Sequence, residues 1–143
     1  MSAPATTFVH LKLVMPSDPR YLAAVRGAIA PLAAAMGWDE AECRAIALAL
    51  DEAIANVIRH AYHNRTDGRI ELDCCQNVEG LEITMLDQGE APDKSKICAR
   101  AIDCEQVGGL GTHIIKDVMD SVSYQATPAG NRFVATKRLK RTT

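Results

Sequence analysis

The order of hydrophobic patterns along the chain is the feature that most restricts its fold. Alternating apolar and polar residues predict a first strand over Phe8–Val14, and two amphipathic helical patterns then follow each other with no strand between them. Four more strands and a third helix complete the order βααββαββ. Helices grouped between runs of strands are typical of a sheet that carries its helices on one face. We therefore predict an α+β fold, a two-layer α/β sandwich with a mostly antiparallel mixed sheet covered on one face by helices.

Capping residues mark the two consecutive helices. Asp18, followed by a proline, predicts the start of a helix whose alanine-rich pattern extends to Met36. Asp39, with a glutamate three residues later, has the spacing of a capping box and predicts a second helix that continues to about Tyr62.

The second half of the chain has weaker but regular signals. We predict strands over 69–76 and 81–86, a helix over about 110–120, and strands over 122–126 and 132–139. Residues 88–107 lose all periodicity, and compact domains seldom carry an irregular segment of that length without a functional reason. The segment is therefore predicted to be a lid.

Composition excludes several classes of protein. The length of 143 residues predicts one domain over 1–143, and a net charge of −2 does not suit direct nucleic-acid binding. The chain shows neither a signal peptide nor a long apolar run, so we expect a cytoplasmic protein with no membrane contact. Its five cysteines include no CxxC pair, which argues against a disulfide framework or a zinc site.

The first polar motif lies in the second predicted helix. Glu52 and Asn56 are four residues apart, hence neighbours on one helix face and away from the apolar stripe. A carboxylate can accept the proton of an attacking hydroxyl, and an amide oxygen can bind Mg²⁺. Taken alone, the same pair is also what a solvated surface pair would look like, because such pairs are common on exposed helices.

The second motif ends a predicted strand. Asp87, buried at the floor of a pocket, would accept a hydrogen bond from an exocyclic amine such as adenine N6, and Gly89 would let a flat ring approach the backbone. An aspartate followed two residues later by glycine is otherwise ordinary turn chemistry.

The third motif is a glycine cluster before the third predicted helix. Gly108, Gly109 and Gly111 leave backbone N–H groups open to an anion at the helix N-terminus, which would suit phosphates. The spacing matches neither a P-loop nor a Rossmann turn. A flexible hinge is the alternative interpretation of these glycines.

Together the three motifs resemble those of the GHKL (Bergerat-fold) ATP-binding domains, nearest to the anti-sigma-factor serine/threonine protein kinases of the histidine-kinase-like ATPase family. The segment from Glu52 to Asn56 resembles the N-box, residues 87–89 the first glycine box and residues 108–111 the second. The resemblance covers nearly the whole chain. Residues 90–93 depart from it, since many relatives carry a second glycine or an aromatic residue there.

The resemblance implies a role for each matching residue. Glu52 would be the catalytic base, Asn56 the Mg²⁺ ligand, Asp87 the acceptor for the adenine amine and Gly89 a neighbour of the base. Thr136 resembles a threonine that some relatives place against adenine, but it also suits an ordinary strand position. The implied nucleotide-binding set is Asn56, Asp87, Gly89, Gly109, Leu110, Gly111, Thr112 and Thr136.

The resemblance also implies an activity and partners. The implied protein is a kinase that uses ATP and Mg²⁺. It would phosphorylate an anti-sigma-factor antagonist, sequester a sigma factor and form a homodimer. A nucleotide-dependent protein-binding switch of the same fold, without phosphotransfer, is the alternative. The presence of Glu52 favours the kinase, because a switch has no need of a base.

Overall fold

The computed structural model describes residues 9–91 and 109–139, with the backbone alone at 109–112. Most of the predicted lid, including Cys98 and Cys104, therefore lies outside the described residues. The strands are β1 (Val9–Pro16), β2 (Arg69–Gln76), β3 (Gly80–Asp87), β4 (Ser121–Thr127) and β5 (Gly130–Arg138), and the helices are α1 (Leu22–Met36), α2 (Glu40–Asn56) and α3 (Gly109–Val118).

The five strands form one sheet in the order β1-β2-β3-β5-β4, and every neighbouring pair is antiparallel. The predicted α+β sandwich is confirmed. Asp87 pairs with Asn131 at one end of the β3–β5 ladder. Because cross-strand partners project to the same side of a sheet, these two side chains both face the helical layer.

The helices begin where the capping residues predict. The Asp18 carboxylate accepts the Arg20 N–H and starts a short 3-10 turn over Pro19–Tyr21, after which α1 begins. The Asp39 carboxylate accepts the Glu42 N–H at 2.8 Å and caps α2. Gly37, with φ of +110°, ends α1 in the left-handed conformation that glycine adopts most easily.

The core lies between the helical layer and one face of the sheet. Its completely enclosed side chains come from α1, α2, β2 and β3, and they include Ile29, Ile46, Ile54, Ile70, Leu72 and Ile83. Helix α3 packs on α2 and adds Ile115 and Met119 to this core. The opposite face of the sheet carries mostly polar side chains, and the described helices all pack on the core face.

The end of α2 departs from regular α-helical geometry. After Asn56 the chain widens into a π-helical turn over Val57–Ala61, where Tyr62 N–H donates to Val57 O. Single π turns often occur at functional sites, because the extra residue changes the direction of the neighbouring side chains. The predicted helix to about Tyr62 is thus continuous, but it changes type at Asn56.

No helix within 9–91 or 109–139 is long and apolar enough to cross a membrane. Cys43, Cys74 and Cys75 are free thiols, and burial raises the pKa of Cys74 to about 12. A thiol with so high a pKa is protonated at neutral pH and reacts slowly.

Candidate functional site

A cavity of about 390 Å³ opens between the end of α2 and the adjoining ends of β3, β4 and β5. Its volume lies in the range of about 300–1,000 Å³ that is typical of small-ligand sites. The residues that line it include Asn56, Arg59, His60, His63, Asp87, Glu90, Tyr124, Asn131, Arg132 and Phe133. The cavity brings two of the predicted site residues, Asn56 and Asp87, to one place.

Asp87 forms the polar floor of the cavity. It is only 4% exposed, and its Oδ1 accepts hydrogen bonds from Gly89 N–H at 2.9 Å and from Asn131 Nδ2 at 2.8 Å. Burial raises the pKa of the Asp87 carboxyl, while the hydrogen bonds from Asn131 and Gly89 oppose that rise. Neither bond uses Oδ2, so an acceptor oxygen is left for a ligand.

Asn56 occupies the last position of α2, immediately before the π turn. Arg59 Nη2 donates to its Oδ1 at 2.7 Å, and both side chains line the cavity. Among the described residues, no group of three or more His, Cys, Asp or Glu side chains could hold a metal ion. One amide oxygen on the lining of such a cavity suits Mg²⁺, which keeps several waters and few protein ligands.

Glu52 lies one helical turn before Asn56, as the spacing requires, but it does not line the cavity. Its side chain is half-buried, and within the described residues it makes no hydrogen bond or ion pair. The preceding Asp51 is engaged differently, because its Oδ2 accepts from Arg26 Nη1 at 2.8 Å. Glu52 is therefore partly exposed and is not enclosed with Asp87.

Gly89 is needed for a close approach of two backbones. A Cβ at this position would lie 2.5 Å from the carbonyl oxygen of Ala61, well inside van der Waals contact. The next residue, Glu90, donates its N–H to the same oxygen at 2.8 Å. The glycine thus joins the exit of β3 to the π turn, a role that spacing alone did not predict.

The predicted phosphate-binding segment begins α3. Gly109, Leu110, Gly111 and Thr112 form its first turn, where backbone N–H groups lack helical acceptors. Gly108 lies outside the described residues. Contacts near the other end of α3 hold the helix in place. There Ile115, and Met119 just after the helix, pack against Ala49, Leu50 and Ala53 of α2.

Thr136 does not lie at the cavity, and the prediction that it contacts adenine does not fit the structure. Phe133 and Ala135 of β5 are buried against the helical layer, so strand alternation turns Thr136 to the opposite face. There its hydroxyl is hydrogen-bonded to the Ser121 hydroxyl. The β5 residues that reach the cavity are instead Asn131, Arg132 and Phe133.

An aromatic wall was not predicted from the sequence. The rings of Tyr124 and Phe133, on neighbouring strands, have centroids 5.1 Å apart and are tilted by 58°. Both rings line the cavity and form an apolar wall beside which a heterocyclic ring can pack. The register that pairs Tyr124 with Phe133 is a property of the folded sheet, and no local motif indicates it.

Charged side chains surround the cavity mouth. His63 Nε2 and Glu90 Oε2 lie 2.7 Å apart, and Arg59, His60 and Arg132 are nearby on the same lining. His63 adopts a left-handed φ of +52° where the chain leaves the π turn. The mouth thus presents the guanidinium groups of Arg59 and Arg132, which suit an anionic ligand.

Residues 15–137 match the family model described as Histidine kinase-like ATPase domain. The chain is 25% identical to the serine-protein kinase RsbW of Bacillus velezensis, over 85% of this chain and 81% of that protein. It is 29% identical to the protein of the same name from Bacillus pumilus, with coverages of 92% and 86%.

A solved structure supports the fold independently. The crystal structure of the RsbU and RsbW domains of Rv1364c from Mycobacterium tuberculosis superposes with a TM-score of 0.66 at 18% identity. The match covers 94% of this chain and 33% of that one, so this chain corresponds to about a third of the larger protein.

Proposed function

The chain belongs to the histidine kinase-like ATPase domain family, and from this membership we propose that it is an ATP-dependent serine/threonine protein kinase. We infer that it acts in the cytoplasm as an anti-sigma factor, phosphorylating an antagonist protein and sequestering a sigma factor. The names of its relatives support this activity. The observation that carries the proposal is the buried acceptor Asp87 at the floor of a cavity that Asn56 also lines.

The floor of the cavity suits adenine. Asp87 offers Oδ2 to an exocyclic amine, and Tyr124 and Phe133 offer a surface for the ring. The phosphates would then extend toward the cationic groups at the mouth and toward the first turn of α3. Apolar stacking, one buried acceptor and a cationic mouth are together what a purine nucleotide requires.

Asn56 is the residue that would hold Mg²⁺. Its Oδ1 now accepts a hydrogen bond from Arg59, and a metal ion at that oxygen requires the guanidinium to withdraw. When bound with ATP, Mg²⁺ neutralises charge that develops on the phosphates during transfer.

Glu52 would act as the base. Its carboxylate accepts the proton of a serine or threonine hydroxyl while that oxygen bonds to the γ-phosphorus and the bond to the ADP oxygen breaks. A base for a hydroxyl carried by another protein must be reachable from solvent, and the partly exposed side chain of Glu52, which does not line the cavity, is consistent with that role. The buried Asp87 could not serve.

The test is transfer of labelled phosphate from ATP to a candidate antagonist protein that carries a serine acceptor. We expect Glu52→Gln to slow transfer by about 10²–10⁴-fold while ATP binding is retained. Glu82→Gln, an exposed glutamate on the uncovered face of the sheet, is the matched control and should transfer normally. Equal rates for Glu52→Gln and wild type would refute Glu52 as the base.

The switch without phosphotransfer makes a different prediction. In that case ATP or ADP would change the affinity for the partner, yet no label would appear on it. Partner binding measured at saturating ATP and ADP, beside the transfer assay, distinguishes the two functions.

We also propose a homodimer that forms through β1 and its neighbouring surface. This strand lies at the edge of the sheet, and its Val9 and Val14 side chains are 41% and 49% exposed. An open edge can pair with a second copy. Sedimentation of the wild type and of the Val9→Lys, Val14→Lys double variant tests this, because a dimer through β1 should dissociate in the variant.

A further inference from the structure

The Asn131 side chain joins the cavity floor to the chain that leaves β3. Its Nδ2 lies 2.8 Å from Asp87 Oδ1, 3.1 Å from Gly89 O and 3.3 Å from Glu90 O. The ladder between β3 and β5 places Asn131 directly opposite Asp87, so the backbone fixes the distance between the two side chains. This contact is built into the sheet and does not depend on a loop.

The contact determines what Asp87 offers to a ligand. Asn131 Nδ2 and Gly89 N–H both donate to Oδ1, and these two bonds fix the plane of the carboxylate. Oδ2 makes neither bond and is left to accept one from the ligand. Donors of this kind favour the ionised carboxylate, which only accepts hydrogen bonds. An ionised carboxylate attracts an amine and repels a carbonyl oxygen.

We propose that Asn131 is a positioning residue that holds Asp87 as a hydrogen-bond acceptor and thereby sets a preference for adenine nucleotides over hypoxanthine nucleotides. Adenine carries an amine at the carbon where hypoxanthine carries a carbonyl, and the two bases otherwise have nearly the same shape. The inference rests on the proposed function, since it takes a purine nucleotide as the ligand of the cavity.

Without the Asn131 amide, Asp87 keeps its burial but loses one of the two bonds that favour its charge. Burial raises the pKa of the Asp87 carboxyl, and the hydrogen bond from Asn131 lowers it. Removal of Asn131 therefore raises that pKa further. A protonated carboxyl can donate to a carbonyl oxygen, and the selectivity against hypoxanthine then falls. The change must be largest at acid pH, where more of the carboxyl is protonated.

Other groups near Asp87 also titrate or carry charge, so the experiment must measure a quantity that does not respond to them. They are Arg59, His60, Tyr62 and His63 from the end of α2 and the segment after it, Glu90 after β3, Tyr124 from β4, and Arg132 from β5. Groups at the cavity mouth act on the phosphates, which ATP and ITP share. The ratio of the two affinities therefore isolates the contact between the base and Asp87.

The experiment measures dissociation constants for ATP and ITP by calorimetry between pH 5 and pH 8. For Asn131→Ala we expect the preference for ATP over ITP to fall by about tenfold. The pH below which ATP binding is lost, the acid limit, should also move to higher pH. Asn131→Asp keeps the shape but places a second carboxylate beside Asp87, so that the two groups share a proton and the preference falls further.

Asn77→Ala is the matched control. Asn77 Oδ1 accepts from Glu79 N–H and Gly80 N–H in the turn between β2 and β3, far from the cavity, so its loss should alter stability alone. If both Asn131 variants stay folded and keep the wild-type ratio and acid limit, Asn131 is merely structural and the inference is overturned. If the wild type binds neither nucleotide, the proposed function fails and the inference fails with it.

Discussion

The Tyr62 hydroxyl accepts a hydrogen bond from Gln88 N–H at 2.7 Å and donates one to the carbonyl oxygen of Arg69. Tyr62 follows the π turn that begins after Asn56, and Gln88 follows Asp87 at the end of β3. One side chain thus ties the helix that carries Asn56 to the strand that carries Asp87. With the bond from Glu90 N–H to Ala61 O, it holds these two parts of the chain together.

We expect Tyr62→Phe to lower the free energy of unfolding by about 1–3 kcal/mol, because the N–H of Gln88 and the carbonyl of Arg69 both lose a partner. ATP binding should weaken as well, since the cavity walls are no longer tied together. Urea denaturation and calorimetry measure the two effects. Tyr21→Phe, at a site 42% exposed, should change neither, and equal stability of Tyr62→Phe and wild type would contradict the prediction.

Asp87→Asn should separate stability from function. The amide oxygen can keep both bonds now made to Oδ1, but the amide nitrogen then faces the ligand, so we expect ATP binding to be lost. The new amide donor would oppose the donor on adenine N6.

The stability of Asp87→Asn should depend on pH in a definite direction. The pKa of Asp87 is raised in the folded protein above its usual value of 3.8, so the wild type loses stability as pH rises from that value through the folded pKa. The variant lacks this titration and should gain relative stability over the same interval, by about 1.4 kcal/mol for each unit of pKa elevation. Denaturation curves from pH 3.5 to pH 8 measure the difference. Asp67→Asn, at an exposed site, should show no such gain.

Gly89→Ala should destabilise the fold by about 1–3 kcal/mol, because the added Cβ would meet the Ala61 carbonyl at 2.5 Å. The π turn or the exit of β3 must then move, and ATP affinity should fall with stability. Gly27→Ala in α1 is the matched substitution, since nothing lies within 4 Å of the added Cβ. It should stabilise the protein by up to about 1 kcal/mol. If the Gly89→Ala protein is as stable as wild type, the backbone at Ala61 moves away from the added Cβ with no loss of stability, and the prediction is wrong.

Much of the fold could be predicted because its signals are local. The cap at Asp39 and the alternation of β2 each depend on a few neighbouring residues. The order of the described strands and α-helices was therefore predicted from the sequence, with ends that differ by a few residues, but the 3-10 turn before α1 and the π turn after α2 were not.

The candidate site was only partly predictable. Asn56 and Asp87 were identified from motifs, and the structure brings both to one cavity. Asn131 was missed because an asparagine after a glycine at the start of a strand has the composition of an ordinary turn. Thr136 was misplaced because one step along a strand reverses the face to which a side chain points.

The sequence by itself determined the elements, their order and the residue types that nucleotide chemistry needs, because caps, periodicity and short motifs act over a few neighbours. Only the tertiary structure decided that Asn131 lies against Asp87, that Phe133 and Tyr124 form one wall, and that Glu52 lies outside the cavity. These relationships depend on strand register and helix packing, which join residues far apart in the chain through contacts that no local pattern records.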